Sequence, residues 1–152
     1  MVGKKLIQAQ WNLDLIGTHM YRYPLESPPQ NKKNMYPIPK DIKLQTFENL
    51  VVQQICFTAN TIDLSFGNNN DIQINGGFAI KRKQQEEFKR FELYPVSYDM
   101  GLLELLEKKV LAIRPQNDNL VIEFEDDYLL ELINDKQYES FSIFIEGKRT
   151  II

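Results

Sequence analysis

Residues 119–132 have the sequence NLVIEFEDDYLLEL and predict a β-hairpin. Leu120, Ile122 and Phe124 share one strand face, and the opposite face carries Val121, Glu123 and Glu125. A second apolar segment follows the acidic pair Asp126-Asp127. Alternation with a period of two is typical of a strand with one buried face. Short polar residues between two such segments favour a tight turn. We therefore expect strands at Leu120–Glu125 and Tyr128–Ile133.

The same pattern occurs 58 residues earlier in the chain. Residues 50–74 align with residues 108–132 without a gap, and apolar residues fall on apolar residues at seven positions. The matched pairs are Val52/Val110, Ile55/Ile113, Ile62/Leu120, Leu64/Ile122, Phe66/Phe124, Ile72/Leu130 and Ile74/Leu132. Because a fixed offset is typical of duplicated structural units, we interpret residues 47–80 and 101–133 as two related β-meanders.

Each meander is predicted to contain three strands. Those of the first unit are Gln53–Thr58, Thr61–Phe66 and Asp71–Ile74, and the second unit adds Leu111–Arg114 before the hairpin. Val52 and Ile55 have opposite parity in an ideal strand. Either a β-bulge separates them or Val52 belongs to the preceding turn.

A helix and a final strand pair complete the predicted domain. Leucines at helical spacing predict a helix from Gly101 to Lys109 with Asp99 as its N-cap, and its buried residues would be Leu102, Leu105 and Leu106. Lys81–Arg90 is interpreted as a charged bridge between the units, and a turn at residues 146–148 connects two C-terminal strands. The predicted fold class is α+β, dominated by antiparallel sheet.

The first 46 residues are predicted to form an extension to a single β-rich domain at residues 47–152. Residues 11–15 alternate apolar and polar, as in a strand, and residues 24–39 contain several prolines. Proline excludes regular helix and central strand, so we expect a surface loop there that contributes little to the core.

Length and composition exclude several classes of protein. The chain has 152 residues, a net charge of -3, one Cys and 43% hydrophobic residues, which suits one domain with an extension. One cysteine cannot form an internal disulfide. No apolar run reaches the roughly 18 residues of a membrane span, and residues 1–5 lack signal-peptide features. We expect a cytoplasmic protein without a membrane partner.

Few residues suggest catalysis, and we expect neither an enzyme nor a bound cofactor or metal. His19 is the single histidine and has no catalytic signature around it. Cys56 lies in a predicted strand, where cysteine is typical of a core position. The alternative is a small metal-dependent nuclease that uses Asp127, Glu146 and Lys148, because paired carboxylates beside a lysine can hold a divalent cation at a phosphate.

Charge is distributed unequally along the chain. Residues 1–98 carry twelve basic and nine acidic residues, whereas residues 99–152 carry six basic and twelve acidic residues. Strand parity predicts one acidic face in the second unit, and its candidate partner-binding residues are Glu123, Glu125, Asp126, Asp127, Tyr128 and Glu131. Like charges across a hairpin repel one another, and a cationic partner would relieve that repulsion. The alternative is an acidic surface that keeps the protein in solution and protects a sheet edge.

Residues 119–132, followed by the Tyr-Glu-Ser-Phe step at residues 138–141, resemble small bacterial domains without an assigned activity. Domains of this type are similar to immunity proteins encoded beside polymorphic or contact-dependent toxins. The resemblance covers residues 47–152 and carries no catalytic residue to this chain. It implies a non-enzymatic protein that neutralises a cognate toxin by occlusion.

We therefore expect a binding protein whose acidic face covers a basic toxin, such as a nuclease domain, since complementary charge speeds association. The basic run Lys81–Lys83 lacks the interleaved aromatic residues that nucleic-acid binding favours, and the chain is acidic overall. Nucleic acid is therefore not an expected partner. A self-associating module that pairs through sheet edges is a further alternative.

Overall fold

Ten antiparallel strands provide most of the regular structure in the part of the chain that the structure describes. The computed structural model describes residues 34–85, 87–92 and 101–152. Its strands are β1 (Gln54–Phe57), β2 (Ile62–Ser65), β3 (Asp71–Ile74), β4 (Phe78–Arg82), β5 (Lys89–Phe91), β6 (Val110–Gln116), β7 (Asn119–Phe124), β8 (Tyr128–Leu132), β9 (Phe141–Ile145) and β10 (Lys148–Ile151). Within these described ranges, the helical segments are the 3-10 helices Leu44–Phe47, Leu102–Leu105 and Glu125–Asp127.

The strands form two five-stranded sheets that exchange strands between the two halves of the chain. One sheet has the order β1-β2-β3-β9-β10, and the other has the order β5-β4-β8-β7-β6. Strand β4 follows the first meander in sequence but pairs with β8 of the second, and β9 follows the second meander but pairs with β3 of the first. Each sheet therefore contains strands from both halves.

Both sheets contribute to one hydrophobic core. The buried faces of β2, β3 and β9 belong to the same cluster as those of β4, β7 and β8. Leu64, Phe66, Ile122 and Phe124 are all buried, as strand parity predicts. Phe66 meets Phe47 edge to face, with ring centroids 5.2 Å apart, so the core extends to a residue before the first strand.

A short antiparallel contact joins the two halves at residues that lie 58 positions apart. Val51 forms a β-bridge with Lys109. Around it, Asn49 N donates to Val110 O (2.8 Å) and Glu107 N donates to Val52 O (2.9 Å). The two donors, Asn49 and Glu107, lie 58 positions apart, and so do the two acceptors, Val52 and Val110. The buried residues of the flanking 3-10 helices, Leu44 and Phe47 in one and Leu102 and Leu105 in the other, lie at the same offset.

A β-bulge follows this contact in each half. The register of β6 against β7 shifts between Val110 and Ala112. In the first half, Gln53 N donates to Ser65 O (2.8 Å) although Gln54 is the residue paired with Ser65. The bulge is the first of the two arrangements predicted for Val52 and Ile55, and it leaves Val52 fully buried.

The described residues contain no α-helix, so the predicted helix at residues 101–109 is wrong and the fold is mostly β. Only Leu102–Leu105 is helical, as a 3-10 turn. Leu106 has extended backbone angles and is 38% exposed rather than buried. Glu107 has a φ of 64°, which allows its N–H to reach Val52, and this tertiary hydrogen bond ends the helix.

Two further predictions concern the chain's organisation. Lys81–Arg90 is not only a bridge, because it includes the end of β4 and the start of β5. The predicted boundary at residue 46 falls inside the Leu44–Phe47 helix, whose two end residues are buried. The predicted strand at residues 11–15, most of the proline-rich segment, the Asp99 cap and His19 lie outside the described residues.

Phe124→Ala should lower the free energy of unfolding by about 3–5 kcal/mol, because it leaves a cavity in a fully buried site. Chemical denaturation measures this change. Leu103→Ala removes a side chain that is 58% exposed and should change stability by less than about 0.5 kcal/mol. Equal effects of the two substitutions would contradict the assignment of Phe124 to the core.

Candidate functional site

The centre of the predicted acidic face is the turn between β7 and β8, residues Glu125–Asp127, which we call the acidic turn. Asp126 and Asp127 have φ values of 57° and 64° and lie in the left-handed region. Asparagine and aspartate occupy this region more readily than other residues with side chains. Both side chains are exposed, so the turn presents carboxylates to solvent.

The turn between β2 and β3 also has two consecutive left-handed residues, but these carry no charge. Asn68 and Asn69, 58 residues before Asp126 and Asp127, have φ values of 53° and 58°. Asparagine therefore satisfies the conformation in one turn, and aspartate satisfies it in the other. The negative charge of the acidic turn is not a requirement of its backbone.

Two lysines before β6 lie against the acidic turn. Lys108 forms an ion pair with Asp126, and Lys109 forms one with Glu125 at 3.2 Å. The backbone N–H of Glu125 also donates to the carbonyl of Lys109 (3.0 Å). The ion pair lowers the pKa of the Asp126 carboxyl and raises that of the Lys108 amine. The Asp127 carboxylate has neither an ion pair nor a hydrogen bond within the described residues.

Glu123 on β7 lies between two cations of its own chain. Arg114 Nη2 is 2.7 Å from Glu123 Oε1, and Lys83 Nζ is 3.4 Å from Oε2. The hydrogen bond from Arg114 is the main cause of a lowered pKa of the Glu123 carboxyl, and the charges of Arg114 and Lys83 act in the same direction. The repulsion expected on this face is therefore relieved within the molecule.

Glu131 on β8 is held by an amide rather than by a cation. Its Oε1 accepts a hydrogen bond from Asn119 Nδ2 at 2.7 Å, and Asn119 Oδ1 accepts one from the backbone N–H of Asn134 at 3.0 Å. Glu131 lies opposite Val121 in the β7–β8 pairing, so it shares the outer face of the sheet with Glu123. Parity thus places these two glutamates together as predicted.

Tyr128 does not belong to the exposed acidic face. It is 5% exposed and has the parity of the core residues Leu130 and Leu132. Its hydroxyl donates to Glu104 Oε2 and accepts from Arg82 Nη2, and the Arg82 guanidinium lies 4.7 Å from the ring centroid. The bond from Tyr128 is the main cause of a lowered pKa of the Glu104 carboxyl, and the bond to Tyr128 raises the pKa of Arg82.

This network lines a cleft of about 280 Å³ that sequence reasoning did not find. Its cationic side chains come from Lys81, Arg82 and Lys89, and Glu104 and Tyr128 also line it. Arg82 and Tyr128 are 46 positions apart and Glu104 comes from a separate 3-10 helix, so no local motif joins them. The exposed guanidinium in this cleft is that of Arg82, which already donates to Tyr128 and Glu104 of the same chain.

The two carboxylates of the nuclease alternative, Glu146 and Asp127, lie in turns of different sheets, and Cys56 lies on an edge strand. Glu146 forms the β9–β10 turn with Gly147, and its N–H donates to Asn70 Oδ1 at 3.0 Å. Asp127 lies in a turn of the other sheet, and no cluster of three or more His, Cys, Asp or Glu able to hold a metal ion occurs within the described ranges. Cys56 is exposed, not a core residue as predicted, because β1 is an edge strand.

Comparison of the chain with protein-family models, with curated proteins and with solved structures gives no match. Of the helices in the described ranges, none has the length and apolar character needed to cross a membrane.

The Glu123 ion pairs should make stability depend on pH. A carboxyl whose pKa is lower in the folded state contributes stability above its unfolded pKa, about 4.3, and loses it as pH falls through the folded value. Glu123→Gln should therefore cost about 0.2–1 kcal/mol at pH 7 and progressively less below pH 4.5. Urea denaturation across this range measures the difference.

A double-mutant cycle isolates the pair with Arg114. Arg114→Gln, Glu123→Gln and the double variant give the coupling energy between the two side chains. It should be favourable at neutral pH and decline in acid, in step with protonation of Glu123. A coupling energy that is the same at both pH values would contradict a charge-dependent interaction.

Proposed function

We propose that this chain is a non-enzymatic binding protein of the cytoplasm, an immunity protein that neutralises a cognate bacterial toxin by occlusion. The observation that carries the proposal is the acidic turn, Glu125–Asp127. Its aspartates have a backbone conformation that Asn68 and Asn69 adopt without charge. A carboxylate that the fold does not need, and that is exposed to solvent, is available to a partner.

Charge complementarity indicates a basic partner. The acidic turn has three carboxylates and two adjacent lysines, and Asp127 is exposed without an ion pair within the described residues. A negative surface opposite a positive cleft raises the association rate and orients the encounter. A nuclease domain has such a cleft because it binds the phosphates of its substrate. Covering that cleft would exclude the substrate without any chemistry by this chain.

The other candidate residues would act at the border of this contact. Glu123 and Glu131 lie on the outer face of the β7–β8 pair, next to the acidic turn in the chain. Glu123 already has two intramolecular cations, whereas Asp126 has one and Asp127 has none within the described residues, so Glu123 is the least available of the three to a partner. Tyr128 would support the acidic turn from the interior side, because its ring is buried and its hydroxyl is hydrogen-bonded.

We also propose that the two meanders are copies of one unit at an offset of 58 residues. Four observations support it: equivalent hydrogen bonds around Val51 and Lys109, a β-bulge in each half, 3-10 helices at the same offset, and left-handed turns at the same offset. In this proposal the acidic turn is the charged copy, and the turn between β2 and β3 is its neutral counterpart. Charge in one half only is what a partner-specific surface requires.

The functional proposal is tested with the reading frame next to this gene. If that frame encodes a toxin, its expression should stop growth, and co-expression of this chain should restore growth through a complex that survives gel filtration. A Phe124→Ala variant, destabilised in the core, serves as the negative control. A toxin that remains lethal beside the folded chain would contradict the proposal.

Asp126→Asn should slow association with that toxin while preserving the fold, because asparagine is already present at the equivalent Asn68. We expect a decrease of about tenfold in the association rate at low salt, a further decrease on adding Asp127→Asn, and little difference at high salt, where charges are screened. Stopped-flow fluorescence at several salt concentrations measures these rates.

Asp118→Asn is a matched control for Asp126→Asn. Asp118 has a φ of 68°, forms an ion pair with Lys136 at 3.0 Å and lies in the turn at the opposite end of β7. It therefore shares residue type, conformation and lysine partner with Asp126. Equal effects of the two substitutions would mean that overall charge, and not the acidic turn, controls association.

A further inference from the structure

Among the described residues, the two sheets have four edge strands, which differ in how they are protected against pairing with another chain. Charged residues and proline on an edge strand oppose such pairing. Three of the edges have these features: β5 carries Lys89 and Arg90, β10 carries Lys148 and Arg149, and β6 carries Arg114 and Pro115. Strand β1 is the fourth edge and carries no charge.

Strand β1 also exposes apolar side chains. Residues 51–62 form an uncharged segment that contains β1 entirely. Phe57 is 42% exposed, Cys56 is exposed, and Ile55 is half-buried against the core. An uncharged edge strand presents unpaired N–H and C=O groups on which another strand can pair, and the exposed Phe57 ring adds apolar area to that edge.

The outward-facing backbone groups of β1 have a definite position. Thr58 N donates to Thr61 O at 2.9 Å. Cys56, two positions before Thr58, is paired with Asp63 of β2. Because hydrogen-bonded and non-hydrogen-bonded pairs alternate in an antiparallel ladder, the N–H and C=O groups of Ile55 and Phe57 point away from β2. They have no hydrogen-bond partner within the described ranges.

We propose that β1 is a self-association surface, on which the β1 strand of a second copy of this chain pairs antiparallel. The two-fold axis passes beside Cys56, so that Ile55 of each copy is opposite Phe57 of the other and the two residues exchange backbone hydrogen bonds. In a two-fold symmetric contact, a residue near the axis lies close to the same residue of the other copy. A charged residue there would therefore be repelled by the identical charge of the other copy. The uncharged segment 51–62 meets this requirement.

Side-chain packing supports the same register. Ile55 and Phe57 have the same parity, so each aromatic ring lies beside a β-branched side chain of the other copy, a favourable cross-strand combination. The pairing joins two five-stranded sheets into one continuous sheet. A contact made by one short strand buries less than about 1,200 Å², the range of weak and transient complexes. The dimer therefore forms and dissociates with concentration.

Cysteine crosslinking tests the register directly. Cys56 is opposite its own copy in a non-hydrogen-bonded pair, where Cα atoms are about 4.5 Å apart, within the range of about 4.4–6.8 Å that a disulfide requires. Diamide, which oxidises two thiols to a disulfide, should convert the full-length chain into a covalent dimer. The control variant Cys56→Ser/Ala59→Cys places the single thiol in the next turn, where the two copies of residue 59 are six positions out of register, about 20 Å apart.

We expect Cys56 to crosslink at least about tenfold faster than the relocated cysteine, because pairing raises the effective concentration of the two thiols. Equal crosslinking rates would reflect random collisions and would overturn the proposal. Sedimentation velocity from about 1 μM to about 1 mM, the range where weak complexes dissociate, should show a monomer that becomes a dimer. A monomer throughout that range would also overturn it.

Two lysine variants identify the edge that is used. Phe57→Lys places a charge beside the two-fold axis and should leave the protein monomeric at concentrations where the parent is a dimer. Leu111→Lys makes a matched change on β6, an edge of the other sheet, where Leu111 is 50% exposed, and should not affect dimerisation. A dimer that survives Phe57→Lys but is lost with Leu111→Lys would assign the contact to β6 and contradict the proposal.

Discussion

The pairing of β3 with β9 and of β4 with β8 is the constraint on which the rest of the fold depends. Neither five-stranded sheet can form from one half of the chain, since each meander is completed by a strand that follows the other meander in sequence. The two buried faces therefore face a common core. The turns that carry the exposed charges are fixed by that core, because the strands on either side of them are buried along one face.

The sequence predicts those parts of the fold that depend on local alternation. Strands with one buried face, such as β2 and β3, have a period-two pattern that can be recognised without a structure. Strand β4 could not be found this way, because Phe78, Ala79 and Ile80 are buried on both faces and show no alternation. The leucines at 102–106 have helical spacing, but the hydrogen bond of Glu107 to Val52 competes with the helix, and a tertiary contact of this kind has no local signal.

The candidate site shows the same division between local and tertiary information. Parity correctly places Glu123 and Glu131 on one face of the β7–β8 pair. The cations beside these acidic groups come from elsewhere: Lys83 follows the unrecognised strand β4, and Lys108 precedes β6. A charge count along the sequence therefore overestimates the negative potential of the face. Asn68 has the same left-handed conformation as Asp126 without a charge. The fold therefore does not require the charge of Asp126.

The strand exchange also affects how the chain folds while it is being synthesised. The ribosome releases β3 well before β9, because about 70 residues separate them in sequence, and non-local pairings of this kind form slowly. Until β9 has emerged, β3 offers its free side to other nascent chains, which is the situation in which misassembly and aggregation arise. A rare-codon pause shortly before residue 141 would prolong that exposure, so translation speed along the last strands should influence the yield of folded protein.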